Sequence, residues 1–203
     1  MHSLIFNVLI LLSYQCVNAQ VNLNRSNLAK LCNCSIESST IKLKYKNISS
    51  IDVDTFSNLT NLTYLDLSDN LISTIYSSTF LSLYNLKELY LDDNNLTQID
   101  PITFQNLTNL TILSLSSNKI KQIAPNSFRY LTKLNTLWLN SNNLTFINSS
   151  YFSQLFNLQS FYLQVNQITR IDSFSFSQLF NLNILHLYSN KIESIDSTAF
   201  NGK

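Results

Sequence analysis

Apolar and polar residues alternate along this chain in short bursts, and the bursts recur with a fixed period, the step from Leu62 to Leu86. One copy reads LTYLDLSDNLISTIYSSTFLSLYN (62–85) and the next LKELYLDDNNLTQIDPITFQNLTN (86–109), aligned without insertion or deletion. Leu62, Leu86, Leu110, Leu134, Leu158 and Leu182 open six copies, and Asn70, Asn94, Asn118, Asn142, Asn166 and Asn190 hold the ninth position. Isoleucine keeps the fourteenth position from Ile51 to Ile195, and phenylalanine the nineteenth from Phe56 to Phe200. Residues 38–61 form a degenerate first copy, with Ser38 in the leucine slot and Lys46 in the asparagine slot.

The pattern predicts its own architecture. In x-L-x-L-x the leucines fall on one side of a short strand. Each copy supplies one strand, and successive copies stack as a parallel sheet with the leucines inside. The isoleucine and phenylalanine of the return segment cover the other side of that core. A single copy cannot bury its apolar face alone, so stability comes from neighbours. Asparagine suits the turn after the strand because its amide offers two donors and an acceptor to backbone groups left bare there. A ladder of these amides is expected.

These columns resemble the leucine-rich repeat pattern L-x-x-L-x-L-x-x-N-x-L over residues 38–200. With isoleucine and phenylalanine further along, they look like the "typical" extracellular subfamily. That subfamily includes Toll-like receptor ectodomains, Slit-like guidance proteins and small matrix proteins. The resemblance implies an α/β-type solenoid: a curved horseshoe with a parallel β-sheet on its concave face and mostly irregular or short helical convex segments. Family arrays often begin with a four-cysteine cap containing C-x-C. Here Cys32 and Cys34 keep the C-x-C, Leu43 takes the slot of the fourth cysteine, and Cys16 lies in the leader. Cys32 and Cys34 bridge each other, stay reduced, or pair between chains. Two cysteines are too few for a structural zinc site, so no metal is expected.

Residues 20–37 are thus read as a degenerate N-terminal cap and 38–203 as the array, seven copies with the last incomplete. Ahead of them, Leu4–Leu12 is a short apolar run interrupted by Asn7, and Val17-Asn18-Ala19 has the small residues of a signal-peptidase site. A signal over 1–19 and a secreted or extracellular mature chain are expected, although the leader carries His2 and neither Lys nor Arg before the run. No later apolar run reaches about 18 residues, so no transmembrane span is expected. At the other end, Lys203 takes a position usually filled by leucine. The layer of Leu185, Leu187, Ile192, Ile195 and Phe200 would then be open to a partner or a second copy, or continue in a longer chain.

Composition narrows the chemistry. With 13 Lys+Arg against 12 Asp+Glu the formal charge is +1, which gives no reason to expect nucleic acid as a partner. Gly 1 and Pro 2 exclude glycine-rich phosphate loops and proline-rich linkers. One histidine beyond the leader, His186, and no serine in a nucleophile elbow leave no catalytic constellation, so neither an enzyme nor a cofactor is expected. Asp92-Asp93 beside Asn94 lacks the glycine-containing cation-loop pattern and reads as a solvated acidic patch.

Ten N-x-[ST] sequons are glycosylation candidates: Asn24, Asn33, Asn47, Asn58, Asn61, Asn95, Asn106, Asn109, Asn143 and Asn148. Those within the array follow the strand, so glycans there would leave the sheet face clear. A Cys32–Cys34 bridge would hinder modification of Asn33.

The outward strand positions are the third, fifth and seventh of each copy. Six strand steps of about 4.8 Å make a face about 30 Å long, broad enough for a protein or peptide and too open for a small molecule. Its first part is charged, with Lys42, Lys44, Asp66, Glu88 and Asp92, and its later part is aromatic. Lateral ion pairs and ring stacking account for some of this at about 0.2–1 kcal/mol per pair, yet tryptophan and tyrosine are also the residues of interface hot spots. The expected function is a protein-recognition module. Tyr90, Trp138, Tyr162, His186 and Tyr188 are its anchors, and Asp66, Glu88 and Asp92 steer a complementary charge. A truncated immune or adhesion receptor ectodomain and a structural matrix component are the alternatives.

Overall fold

The computed structural model describes residues 19–201. The leader expected over 1–19 lies, apart from Ala19, outside the described residues, as does Lys203.

Among the described residues, seven strands form one parallel sheet with a uniform step of one repeat: Thr40–Lys42, Tyr64–Asp66, Glu88–Tyr90, Ile112–Ser114, Thr136–Trp138, Ser160–Tyr162 and Ile184–His186. The predicted alternation holds at the side chains. Leu65, Leu89, Leu113 and Leu137 point inward with no exposure, as do Leu67, Leu91, Leu115 and Leu139 after the strands. The chain returns through turns and two-residue strands rather than helix, and these pair in parallel in their turn: Gln98–Ile99 with Gln122–Ile123, then Phe146–Ile147, Arg170–Ile171 and Ser194–Ile195. The fold is the horseshoe solenoid that the repeat implies.

Two columns hold the turns together. Phe56, Phe80, Phe104, Phe128 and Phe152 stack along the return side with centroids 6.0–6.4 Å apart. Beyond Phe152 the column runs through Phe161, which stands in a leucine slot and meets Phe152 edge-on at 4.7 Å and Phe176 at 6.4 Å. The asparagine ladder is complete from Asn70 to Asn190. Each Oδ1 accepts from the backbone N–H 22 residues back, as Asn142 does from Ile120, and each Nδ2 donates to the carbonyl 27 residues back, as Asn142 does to Leu115. Each amide thus ties three chain positions in two copies, and buried backbone groups at the turn are satisfied.

A second ladder was legible in the sequence and passed unread there. Asn85, Asn109, Asn157 and Asn181 close their copies, and each donates to the carbonyl 25 residues back at 2.7–2.8 Å. Just before the main ladder, the eighth residue of every copy is left-handed: Tyr45, Asp69, Asp93, Ser117, Ser141, Val165 and Ser189, all with φ between 51° and 58°. Glycine is the residue that takes this conformation without cost, and none of the seven is glycine. This bend turns the chain out of the strand so that the following asparagine faces in.

At the N-terminal end Val21–Leu23 pairs in parallel with Ile48–Ile51, and a helix follows over Arg25–Cys32. Asn24 caps the helix through its Oδ1, which accepts from the N–H groups of Ser26 and Asn27, and Asn27 returns a bond to the Asn24 N–H. Leu23 and Leu28 are fully buried against the first turn. Of the three states open for the cysteines, the structure shows the Cys32–Cys34 bridge, with Asn33 left-handed at the helix C-terminus between them. In the last described turn Ile184, Ile195 and Phe200 are exposed, while Leu185, Leu187 and Ile192 pack partly against the core.

Candidate functional site on the concave sheet

Period-two strands send the residues between the leucines outward, so the outer face carries whatever the third, fifth and seventh positions hold. Their rings group by strand adjacency. Trp138 and Tyr162 are direct cross-strand partners and stack face to face, 5.6 Å between centroids and 10° from parallel. Tyr162 in turn meets His186 edge-on at 5.1 Å, and His186 meets Tyr188 at 5.7 Å. Four of the five expected anchors therefore form one continuous tract.

Tyr90 belongs elsewhere. Ser114 lies between it and Trp138 in the sheet and is buried. With no ring on that side, Tyr90 packs against Tyr64 at 5.4 Å and donates its hydroxyl to Glu88. Burial first, and the bond to Glu88 next, push its phenol well above the ordinary tyrosine range. Tyr64 shifts the same way, through burial and then the nearby Asp66 and Glu88. Tyr64 was not singled out from the sequence. Its signal was diagonal proximity, two residues out of register with Tyr90 on the adjacent strand.

The acidic residues divide by environment. Asp66 accepts from the N–H and hydroxyl of Ser68, which is itself buried rather than outward-facing. Asp92 is half-buried, and its Oδ1 is enclosed without a hydrogen-bond partner. Burial raises its carboxyl above the usual range, opposed by the adjacent Ser114 hydroxyl. The carboxylates of Asp69, Asp92 and Asp93 lie within 4.8 Å of one another. Asp69 was not anticipated because it comes from the preceding copy. Lys44 binds it at 2.9 Å, and that ion pair holds the Lys44 ammonium above its usual range. Lys42 sits over the Tyr64 ring at 5.8 Å.

The face encloses an open concavity of about 590 Å³ that joins Tyr90, Asp92 and Asp93 at one end to Trp138, Tyr162, His186 and Tyr188 at the other. Asn140 and Gln164, just past the strand ends, also line it. Glu88 and Asp66 flank the acidic end through their strand positions.

The sequons lie off these strands. Asn33, Asn47, Asn58, Asn61 and Asn143 are exposed, whereas Asn24, Asn95, Asn106, Asn109 and Asn148 are half-buried. Asn106 and Asn109 donate to the Leu81 and Tyr84 carbonyls, and Asn148 accepts from Ser150.

The leucine-rich repeat family model matches residues 39–96, 84–144, 132–192 and 156–202. The chain belongs to the leucine-rich repeat family. Among solved structures, this leucine-rich repeat chain is similar to TLR13 in the crystal structure of a TLR13–ssRNA13 complex, at 29% identity and a TM-score of 0.67, over 80% of this chain and 25% of that one. It is also similar to a leucine-rich repeat protein of Leptospira interrogans, at 27% identity and a TM-score of 0.69, over 79% of this chain and 39% of that one. The chain therefore spans well under half the length of either. No curated protein shows a significant sequence match. Among the described residues no helix is long and apolar enough to cross a membrane.

Proposed function

We propose that this chain is the non-catalytic recognition surface of a secreted or cell-surface protein, and that its concave sheet takes a protein ligand. One observation carries the reading: Trp138, Tyr162, His186 and Tyr188 form a contiguous ring tract along an open concavity. Packed aromatic side chains offer large contact area at low entropic cost, and interface energy concentrates on such residues. The backbone beneath is tied by the parallel sheet and the asparagine ladder, so the rings are held in place before a ligand arrives. The 1–19 leader and the sequons placed away from the sheet support export.

The likeness to TLR13 favours one version of this reading, in which the chain is part of a receptor ectodomain. The alignment takes up 25% of that chain, so a longer array would share the same face.

The test is a screen of the intact chain against a panel of displayed extracellular proteins. A partner whose affinity drops at least about tenfold for Trp138→Ala with Tyr162→Ala supports the site. A partner held equally by the double variant puts recognition elsewhere and sinks the proposal. Export is checked separately by the mass of the chain recovered from a eukaryotic culture medium, expected to begin at Gln20 and to fall on enzymatic deglycosylation. Retention of the whole chain inside the cells would contradict it.

A further inference from the structure

We infer that the ligand meets this face with a basic side chain set three or four residues from an aromatic or apolar one. The base lies at Asp66, Glu88 and Asp93, and the ring or apolar group lies on Trp138 and Tyr162. The inference rests on the concave-face reading above and adds the chemistry of the partner.

The charge on the face is one-sided where the concavity lies. Among the described residues the ion pairs are Lys44–Asp69 and Arg170–Asp172, so Asp66, Glu88, Asp92 and Asp93 are in none of them; Lys42, across from Asp66, and Lys44, on Asp69, belong to the first strand's copy. The bonds they make, to Ser68, Tyr90 and the Ser114 hydroxyl, come from neutral donors. From Glu88 to Tyr188 the outward strand positions contain neither Lys nor Arg. A cation arriving at Glu88 and Asp93 gains attraction in a partly desolvated setting, beside Lys44, which Asp69 already holds. Burial is the main cause that raises the Asp92 carboxyl and the Tyr64 and Tyr90 phenols, and the neighbouring carboxylates add to it.

Spacing sets the second half. One strand, Ile112–Ser114, separates Tyr90 from Trp138, and Tyr162 lies one strand further. Counted from the copy that carries Glu88 and Asp93, these are about 10 and 14 Å at about 4.8 Å per strand, which an extended chain rising about 3.3 Å per residue spans in three or four residues; Asp66, one strand further out, extends the acidic end. The small Ser114 and Ser116 between the two ends leave the path open. A polyanion fits badly, because single-stranded nucleic acid needs a basic groove beside its stacking rings, and this groove is acidic.

A display library of random dodecapeptides, panned on the intact chain, tests the idea. The comparison protein carries Asp66→Gln, Glu88→Gln and Asp93→Asn. Each substitution keeps an oxygen acceptor, and asparagine tolerates the left-handed backbone of Asp93, so fold is expected to survive and is checked by circular dichroism. Enriched peptides should carry Lys or Arg three or four residues from Phe, Tyr, Leu or Pro. Made without tryptophan, they should shift the emission of Trp138, the single tryptophan of the chain, and bind the triple variant at least about tenfold more weakly.

Peptides without that pattern, peptides held equally by the triple variant, or no enrichment at all would overturn the inference. If such peptides are still lost on Trp138→Ala with Tyr162→Ala, the concave site stands and only its charge preference falls. If they survive that double substitution, the site itself falls. An oligouridine that shifts Trp138 emission and displaces the peptides would overturn both in favour of nucleic acid.

Discussion

The side-chain amide of Asn142 donates to the carbonyl of Leu115, 27 residues earlier in the chain, at 2.9 Å. The same amide donates to Leu139 and accepts from Ile120, so one buried side chain satisfies three backbone groups that water cannot reach. Asn142→Ala leaves all three bare. At about 1–3 kcal/mol for each unsatisfied buried group, with some relaxation, the loss should be about 3 kcal/mol or more, read from the urea midpoint at unchanged slope. Asn190→Ala, in the half-exposed last turn, should cost clearly less. Equal losses at the two positions would contradict the ladder as the source of the stability.

Val165 is the β-branched member of the left-handed column, with φ 57° and a side chain 48% exposed. A left-handed backbone costs an L-residue about 1–2 kcal/mol, and asparagine is among the residues that visit it readily. Little packing is lost with so exposed a side chain. Val165→Asn should therefore raise stability by about 1 kcal/mol in denaturant titration, and a neutral or destabilising result would show that the strain is relieved elsewhere.

Phe161 fills a slot that leucine holds in five of the other six strands, and it is fully buried between Phe152 and Phe176. Phe161→Ala should cost about 3–5 kcal/mol, with Phe161→Leu losing less than half of that because the backbone already accepts leucine there. Phe180→Ala removes a ring stacked on Phe156 but 57% exposed, and should cost under about 1 kcal/mol. Comparable losses for Phe161→Ala and Phe180→Ala would refute the intercalated packing.

Asp92 gives a pH dependence with a definite sign. Its carboxyl titrates higher in the folded chain than in the unfolded one because burial disfavours the charge. Below the unfolded value of about 3.9 both states are protonated and no penalty acts; as pH rises through the folded value, the folded state has to ionise an enclosed group and loses stability. Asp92→Asn removes that loss. The variant should melt higher than the native chain at pH 7, with the gap closing as pH falls toward the unfolded value. A gap that stayed constant with pH would assign the effect to packing instead.

Much of this was written plainly in the sequence. A sheet whose every strand pairs with the strand one repeat away makes chemical environments periodic, so a buried position must be refilled once in every copy. That is why the leucine, isoleucine, phenylalanine and asparagine columns could be assigned to core and ladder, and why Trp138 could be placed on the outer face. The second asparagine ladder carried the same signal at Asn85, Asn109, Asn157 and Asn181, interrupted by Lys133, which instead donates to Asn109.

The direction of every outer side chain was therefore determined by period and alternation alone. Which of those side chains touch was decided by tertiary structure, since it depends on the sizes of neighbours that lie one repeat apart in the chain and on rotamers they force on one another. Ser114 leaves Tyr90 to Tyr64 and Glu88 while Trp138 closes on Tyr162. Asp92, outward by its position, ends half-enclosed beside Asp69 and Asp93 from the turns around it. Alternation orients the Cα–Cβ bond, but packing chooses where the rest of the side chain goes.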